Sequence, residues 1–328
     1  MNNFWKELHK PIIALAPMEG VTDTAFRQLC KEHGADVLYT EFISSDAIGH
    51  DARRAHEKMM FDPSEQPVIC QIFGRDLAMF AVAAREIQKR GFAGIDINFG
   101  CPARKVVNAG SGVALLRNPR FARDLIARIV DEIDIPVSIK VRSKIRKERA
   151  EIAPDVQEWY TALDLVAAIA DVPVAAIMIH GRSFEQGHSG EIDAAMIREV
   201  KERFDGIVIA NGGILTPEHA KEMLEATGAD GVAPARGAQG RPWIFQQIKD
   251  YLATGAYTEP SWEDITATAL RHAELAEAAK GHWGILELRK HLAWYVHGFP
   301  GASQLRKELV RVESLQDIAR IMKHKTAA

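Results

Sequence analysis

"DINFGCPARKVVNAGSG", residues Asp96 to Gly112, follows the end of a short apolar run, 95–97, into a loop holding a cysteine, a proline, two bases and three glycines. A strand buried on both faces reads as a continuous apolar run, and one that ends in a polar, glycine-rich loop is half of a strand–helix unit. The same unit recurs along the chain. Apolar β-rich runs stand at 12–16, 37–39, 68–72, 95–97, 137–141, 176–179, 207–210 and 231–233. Between most of them the spacing is helical, at 76–90, 119–132, 156–170, 194–203 and 216–226, the last opening on Thr-Pro. Eight such units in about 245 residues predict an α/β fold, a (β/α)8 TIM barrel. After Arg241-Pro-Trp no strand is evident, and 262–279, 284–296 and 303–322 predict amphipathic helices. A barrel over 1–250 followed by a small helical-bundle domain over 251–328 is therefore expected, with the boundary near 254–260, where Gly255 and Pro260 punctuate the chain.

The composition, 47% hydrophobic and 26% charged over 328 residues, is that of an ordinary globular protein. No apolar run approaches the roughly 20 residues that cross a bilayer, and the start, MNNFWKELHK, lacks a secretory stretch, so a cytoplasmic protein without membrane contact is expected. Cys30, Cys70 and Cys101 form no CxxC or Cys/His spacing, which predicts reduced thiols and no metal site. The formal charge of -3 hides an asymmetry: from Lys280 onward nine Lys/Arg face four Asp/Glu, a net +5, with Trp283, Trp294, Tyr295 and Phe299 among them. A basic, aromatic tail of this kind suits nucleic acid.

In a barrel the active site is built at the carboxyl ends of the strands. Those ends carry Pro17 and Met18, then Glu41, Gln71, Asn98 and Cys101, Lys140, His180, Asn211 and Arg236. Polar groups at every exit after the first are expected to converge on one mouth. The last two exits, Asn211-Gly212-Gly213 and Arg236-Gly237-Ala238, combine close backbone approach with a guanidinium and suit a phosphate, although glycines also serve merely to close tight turns. Lys140 on a buried strand needs an anionic or electron-rich partner, for which the N1–C2 edge of a reduced flavin would serve. Gln71 can donate to and accept from a flavin edge. His180 is read as lying beside the ring or phosphate, against the alternative of a satisfied core histidine. A thiol of ordinary pKa is mostly protonated at neutral pH, so Cys101 reads as an acid; Arg104 or Lys105 could lower its pKa, and a nucleophilic role stays open. Cys30 and Cys70 read as packing.

The motifs "APMEGVTD", "INFGCPARKVVNAGSGVALL", "KVR", "IHGRSFEQGHSGEID", "IANGGI" and "RGAQGRPWIF", in that order, resemble the bacterial tRNA-dihydrouridine synthases, most closely their B subgroup, and "RKHLAWYVHGFPGA" is similar to the family's helical domain. The resemblance runs from about residue 11 to beyond 310. It implies an FMN enzyme that reduces the C5–C6 double bond of selected tRNA uridines with NADPH as reductant. Cys101 is then the proton donor to C5, and the reduced flavin delivers hydride to C6. Pro17, Met18, Gln71, Lys140, His180, Asn211 and Arg236 would hold FMN, with Glu19, Gly212, Gly213 and Ala235 completing the cofactor set. Asn98 would touch the uracil edge or the flavin, and Arg104, Lys105 and Arg182 would hold RNA. The loop position of the thiol fits a flipped-out base that slides over the flavin to meet an acid.

Two positions depart from the family pattern. Gly213 replaces the Asp of Asn-Gly-Asp, and Ala235, after Pro234, replaces the Gly of Gly-Arg, where a methyl is expected to crowd the phosphate contact. The basic segment 143–155, SKIRKERAEIAPD, has no family role and reads as a solvated face or a tRNA contact. The alternatives are an FMN-dependent reductase of a free pyrimidine or another small conjugated substrate, and a non-catalytic tRNA-binding relative. A monomer is expected.

Overall fold

The computed structural model describes residues 3–147 and 158–323. Its strands are β1 (Ile12–Leu15), β2 (Val37–Tyr39), β3 (Ile43–Ser44), β4 (Val68–Phe73), β5 (Gly94–Phe99), β6 (Val137–Arg142), β7 (Lys144–Arg146), β8 (Trp159–Thr161), β9 (Ala176–His180), β10 (Ile207–Asn211) and β11 (Gly231–Ala233). Eight of them, β1, β2, β4, β5, β6, β9, β10 and β11, pair in parallel in that order, and β11 pairs back to β1, so the barrel is closed and has no edge. At the closing seam Gly231 lies opposite Ile12, and a Cβ there would stand 2.2 Å from the Ile12 carbonyl oxygen. The seam requires glycine.

Side-chain alternation along each strand sorts residues to two faces. Ile95, Ile97 and Phe99 of β5, Val137, Ile139 and Val141 of β6, and Ile177 and Ile179 of β9 face the surrounding helices in the main core. Ile12, Ala14, Val37, Tyr39, Ile69, Ala176, Met178, Ile209 and Ala233 fill the interior. Trp5, on the 3-10 turn Phe4–Lys6, is fully buried in this inner cluster, and the neighbouring Phe4 ring reaches Gly94 at the start of β5, so this turn plugs the amino-terminal end of the barrel. The same alternation sends Gln71, Asp96, Asn98, Ser138, Lys140, Arg142, His180 and Asn211 inward toward the opposite end.

Three expectations are corrected. The helix expected over 156–170 is helical only at Ala162–Ala168; residues 156–157 lie outside the described residues, and Trp159–Thr161 is a strand that forms an antiparallel hairpin with Lys144–Arg146. Thr161 and Asp164 make a reciprocal cap that starts the helix late. The helix expected over 303–322 is two, Ala302–Leu309 and Leu315–Lys323, because Ser314 accepts from the Asp317 N–H and begins a new helix. Of the basic segment, 148–155 lies outside the described residues. In the rest, Lys144 meets Asp193 at 3.5 Å, Arg146 meets Glu158 at 3.2 Å, and both cations lie over the Trp159 ring.

The helix Ile244–Thr254 packs Ile244, Phe245 and Ile248 into the main core, so a division at residue 250 falls inside it. Beyond residue 260 the helices Trp262–Lys280, His282–Tyr295, Ala302–Leu309 and Leu315–Lys323 share a second core built on Ile265, Ala269, Leu288, Leu292, Ile318 and Met322. That core also contains Ala25 and Leu29 from Thr24–Glu32, the helix that holds Cys30 and is capped by Asp23. Lys280 bonds Asp23 at 2.8 Å and Arg271 bonds Glu32 at 2.7 Å across the same junction.

Because Trp5 fills the closed end, Trp5→Ala is expected to lower unfolding free energy by about 3–5 kcal/mol. Urea titration checks this, and a loss under ~1 kcal/mol would show that the barrel floor does not need the indole.

Candidate functional site

The strand ends open on a cavity of about 350 Å³. Fourteen of the sixteen residues expected in the site line it: Pro17, Met18, Glu19, Gln71, Asn98, Cys101, Lys140, His180, Arg182, Asn211, Gly212, Gly213, Ala235 and Arg236. Arg104 and Lys105 do not. They are exposed on the short helix Arg104–Asn108 that follows the cysteine loop. Glu41, at the second strand's exit, also lies outside the lining; its carboxylate accepts from the Gly20 N–H at 2.6 Å.

Phe42, Arg142, His188 and Gln239 are among the lining residues that sequence reading did not single out. Arg142 stands two positions after Lys140, so strand alternation alone places both on one face. Its Nε donates to the Gly100 carbonyl at 2.9 Å, and its terminal nitrogen donates to the carbonyls of Ser183 at 2.9 Å and Gly187 at 2.7 Å. The guanidinium thus ties the cysteine loop to the loop after β9. His188 is placed by that second loop, and no sequence pattern marks it; Arg236 donates to its carbonyl at 3.0 Å.

The mouth is cationic. Lys140, Arg142, Arg182 and Arg236 line it, while its one lining acid, Glu19, is paired to Lys58. The Lys140 ammonium makes no hydrogen bond or ion pair among the described residues, and burial with the Arg142 charge lowers its pKa to about 8. Burial and the surrounding cations push His180 down to about 2, so the imidazole is neutral. Its Nε2 lies 3.4 Å from Arg182, whose guanidinium can only donate, so Nε2 accepts and Nδ1 carries the proton. Such a mouth attracts an anion and leaves Lys140 waiting for an electron-rich partner.

The glycine corner is built for close approach. Gly212 has φ +106°, and a Cβ on it would meet His180 Cδ2 at 2.5 Å. Gly213 is also left-handed, at φ +72°. Ala235, by contrast, has φ −117°, and its methyl packs against the inner apolar cluster.

Cys101 is 9% exposed, and burial raises its thiol pKa. The cations that act against this rise are Arg142 and Lys140 rather than the expected Arg104 or Lys105, and they do not offset it. The thiol is therefore protonated at neutral pH. Its backbone N–H donates to Asn98 Oδ1 at 2.8 Å, and the Gly100 N–H donates to the same oxygen at 3.0 Å. Asn98 Nδ2 in turn donates to Gln71 Oε1 at 3.0 Å.

A larger groove of about 1230 Å³, sharing Glu19 and Phe42 with the cavity, runs between the barrel and the C-terminal helices. Several of its cations are paired: Arg53 with Glu57, Lys58 with Glu19, and Lys280 with Asp23 and Glu287. Arg54, Lys105 and Lys290 have no acid partner among the described residues, and Trp283 on the groove is 64% exposed. Among the described residues no group of three or more His, Cys, Asp or Glu could hold a metal ion, and no helix is long and apolar enough to cross a membrane.

A family model described as dihydrouridine synthase (Dus) matches residues 14–327. The chain is 35% identical over 312 residues to a tRNA-dihydrouridine synthase B of Pseudomonas syringae pv. tomato, covering 94% of this chain and 89% of that protein. It is 37% identical over 307 residues to the protein of that name in Xanthomonas campestris pv. campestris, covering 93% and 89%. Histamine dehydrogenase from Rhizobium sp. 4-9 superposes with a TM-score of 0.55 at 12% identity, over 80% of this chain and 48% of that one. Morphinone reductase in complex with tetrahydroNAD superposes at 0.52 and 13%, over 80% and 92%. At those identities the two structures carry the fold alone.

With its pKa raised, Cys101 should become a thiolate only at high pH. Its iodoacetamide labelling, followed by peptide mapping, is expected to rise with a midpoint above the ordinary thiol value of about 8.5. A midpoint below neutrality would mark an activated nucleophile instead.

Proposed function

Because the chain belongs to the dihydrouridine synthase family, we propose that it reduces the C5–C6 double bond of uridines in tRNA, with FMN held in the barrel mouth and NADPH as the electron source. The observation that carries this reading is the meeting, in one cavity, of a protonated thiol, a half-buried ammonium without a partner among the described residues, and a glycine-and-arginine corner drawn from distant strands.

The residues present fit the cofactor. Lys140 lacks a partner and suits the electron-rich N1–C2 edge of a flavin, while Gln71 keeps one N–H and one lone pair beyond the hydrogen bonds it already makes. Gly212 lets the His180 ring lie against its backbone at the cavity wall, and Arg236 and Arg182 supply charge for a phosphate. Pro17, Met18 and Ala235 give apolar wall. Bound and reduced, FMN supplies the hydride for C6 of the base.

Cys101 holds the proton for C5. Burial keeps it on the sulfur until a base arrives, and the nearby charges of Arg142 and Lys140 favour the thiolate left after transfer. Asn98 fixes the height of the loop through the Cys101 N–H. A base taken out of its stack would exclude water from this small mouth.

The C-terminal helices, 251–328, and the groove beside them would hold the RNA, with Arg54, Lys105 and Lys290 on phosphates and Trp283 available for stacking. Not all of the basic tail is free for this: Lys280, Arg289 and Arg320 face Asp23, Glu313 and Asp317. Lys325 lies outside the described residues.

Two experiments test the reading. The purified protein should be yellow, and Cys101→Ala should keep its flavin while losing about 10²–10⁴-fold in uridine reduction, scored as dihydrouridine in tRNA by mass spectrometry. Undiminished turnover removes the acid role, and activity on a free mononucleotide favours a small-molecule reductase. For the groove, the paired change Arg54→Ala with Lys290→Ala should weaken tRNA binding and reduce the salt slope of log affinity by about 2. An unchanged slope places the RNA elsewhere.

A further inference from the structure

One ionisable group on the inner face has no part in the proposed reaction. Asp96 is fully buried beneath the cavity and does not line it. Its Oδ1 accepts from the Ser138 hydroxyl at 2.7 Å and its Oδ2 from Gln71 Nε2 at 2.7 Å. From Gln71 the contacts continue through Asn98 to the backbone N–H groups of Gly100 and Cys101. We infer that Asp96 is a positioning residue, whose carboxylate sets the orientation of two side-chain amides in series and thereby anchors the loop that presents the Cys101 thiol. The inference rests on Cys101 being the proton donor.

The argument is one of direction. A carboxylate only accepts, so the NH2 end of Gln71 must face Asp96 and its oxygen must face Asn98. The oxygen of Gln71 then requires the NH2 end of Asn98, which leaves Asn98 Oδ1 pointing at the loop. There it meets two backbone donors at 3.0 and 2.8 Å, which an NH2 group in its place would oppose. The two ends of the chain are independent, a carboxylate below and two peptide N–H groups above, and they demand the same pair of amide orientations. Burial raises the Asp96 pKa to about 6, so the group is ionised at neutral pH. Without it, Gln71 can rotate its amide, and only the two loop N–H groups are left to hold Asn98 in its orientation.

An asparagine at 96 separates this role from that of a counter-charge to Lys140. It can turn its oxygen to Gln71 and its NH2 to Ser138, whose hydroxyl accepts as readily as it donates. Orientation survives and charge is lost.

The test uses full-length protein stripped of flavin, with Cys101 labelling by iodoacetamide read by peptide mapping; Cys30 and Cys70, both fully buried, serve as internal controls. Asp96→Ala is expected to speed Cys101 labelling about tenfold by loosening the loop, while Asp96→Asn stays within about threefold of the parent. Gln71→Met, which leaves Asp96 in place but cuts the link, should match Asp96→Ala, and the double variant should be no faster than either single one. In protein matched for flavin content, Asp96→Ala should lower kcat for tRNA by about 10–100-fold with KM unchanged, and Asp96→Asn should restore it. If Asp96→Asn falls as far as Asp96→Ala, the carboxylate acts by charge and the inference is overturned. If Gln71→Met labels at the parent rate, it is overturned even where Asp96→Ala does not fold. A parent protein that never reduces tRNA uridine would sink the functional reading alone, because the labelling comparison needs no turnover.

Discussion

Closing eight parallel strands into a barrel removes every sheet edge but sends each second side chain into a space with no solvent of its own. That interior has to be filled, and the chain fills its two ends differently. Toward the amino ends of the strands it uses Trp5, Ile12, Val37, Ile69 and Ala176, which need nothing but contact. Toward the carboxyl ends it uses Gln71, Asp96, Asn98, Ser138 and Lys140, each of which must find a hydrogen-bond or charge partner or leave a costly vacancy. Most find one another. Lys140 does not, and the chemistry of the mouth follows from that imbalance.

The cationic rim shows how like charges are kept close without mutual cancellation by acids. Arg142, Arg182 and Arg236 all donate to backbone carbonyls of the single loop that follows β9. Neutral carbonyls neutralise part of the hydrogen-bonding demand of each guanidinium while leaving its charge in the cavity. The loop is shaped by the cations as much as it displays them, which explains how His188 comes to the rim eight residues beyond the end of its strand.

Much of this was legible because a barrel strand buried on both faces is a short apolar run with a polar exit, and the chain repeats that pattern eight times. Cys101 and Lys140 stood out for the same reason: a thiol in a glycine loop and an ammonium on an apolar strand are each out of place. Arg142 was legible in principle from its spacing to Lys140. What sequence did not disclose depends on contacts between distant segments. The β7–β8 hairpin pairs short strands on either side of residues 147–158, so neither strand is evident alone. The break between Leu309 and Leu315 rests on one serine hydroxyl inside an otherwise periodic stretch. Asp96 lies inside a run read simply as apolar, and its partners Gln71 and Ser138 belong to the neighbouring strands.

The helix Thr24–Glu32 turns Phe26 and Cys30 toward the barrel's core and Ala25 and Leu29 toward the core of the C-terminal helices. A single rod embedded in two cores acts as a rivet between them. Whatever loosens that rod in one core is therefore felt in the other.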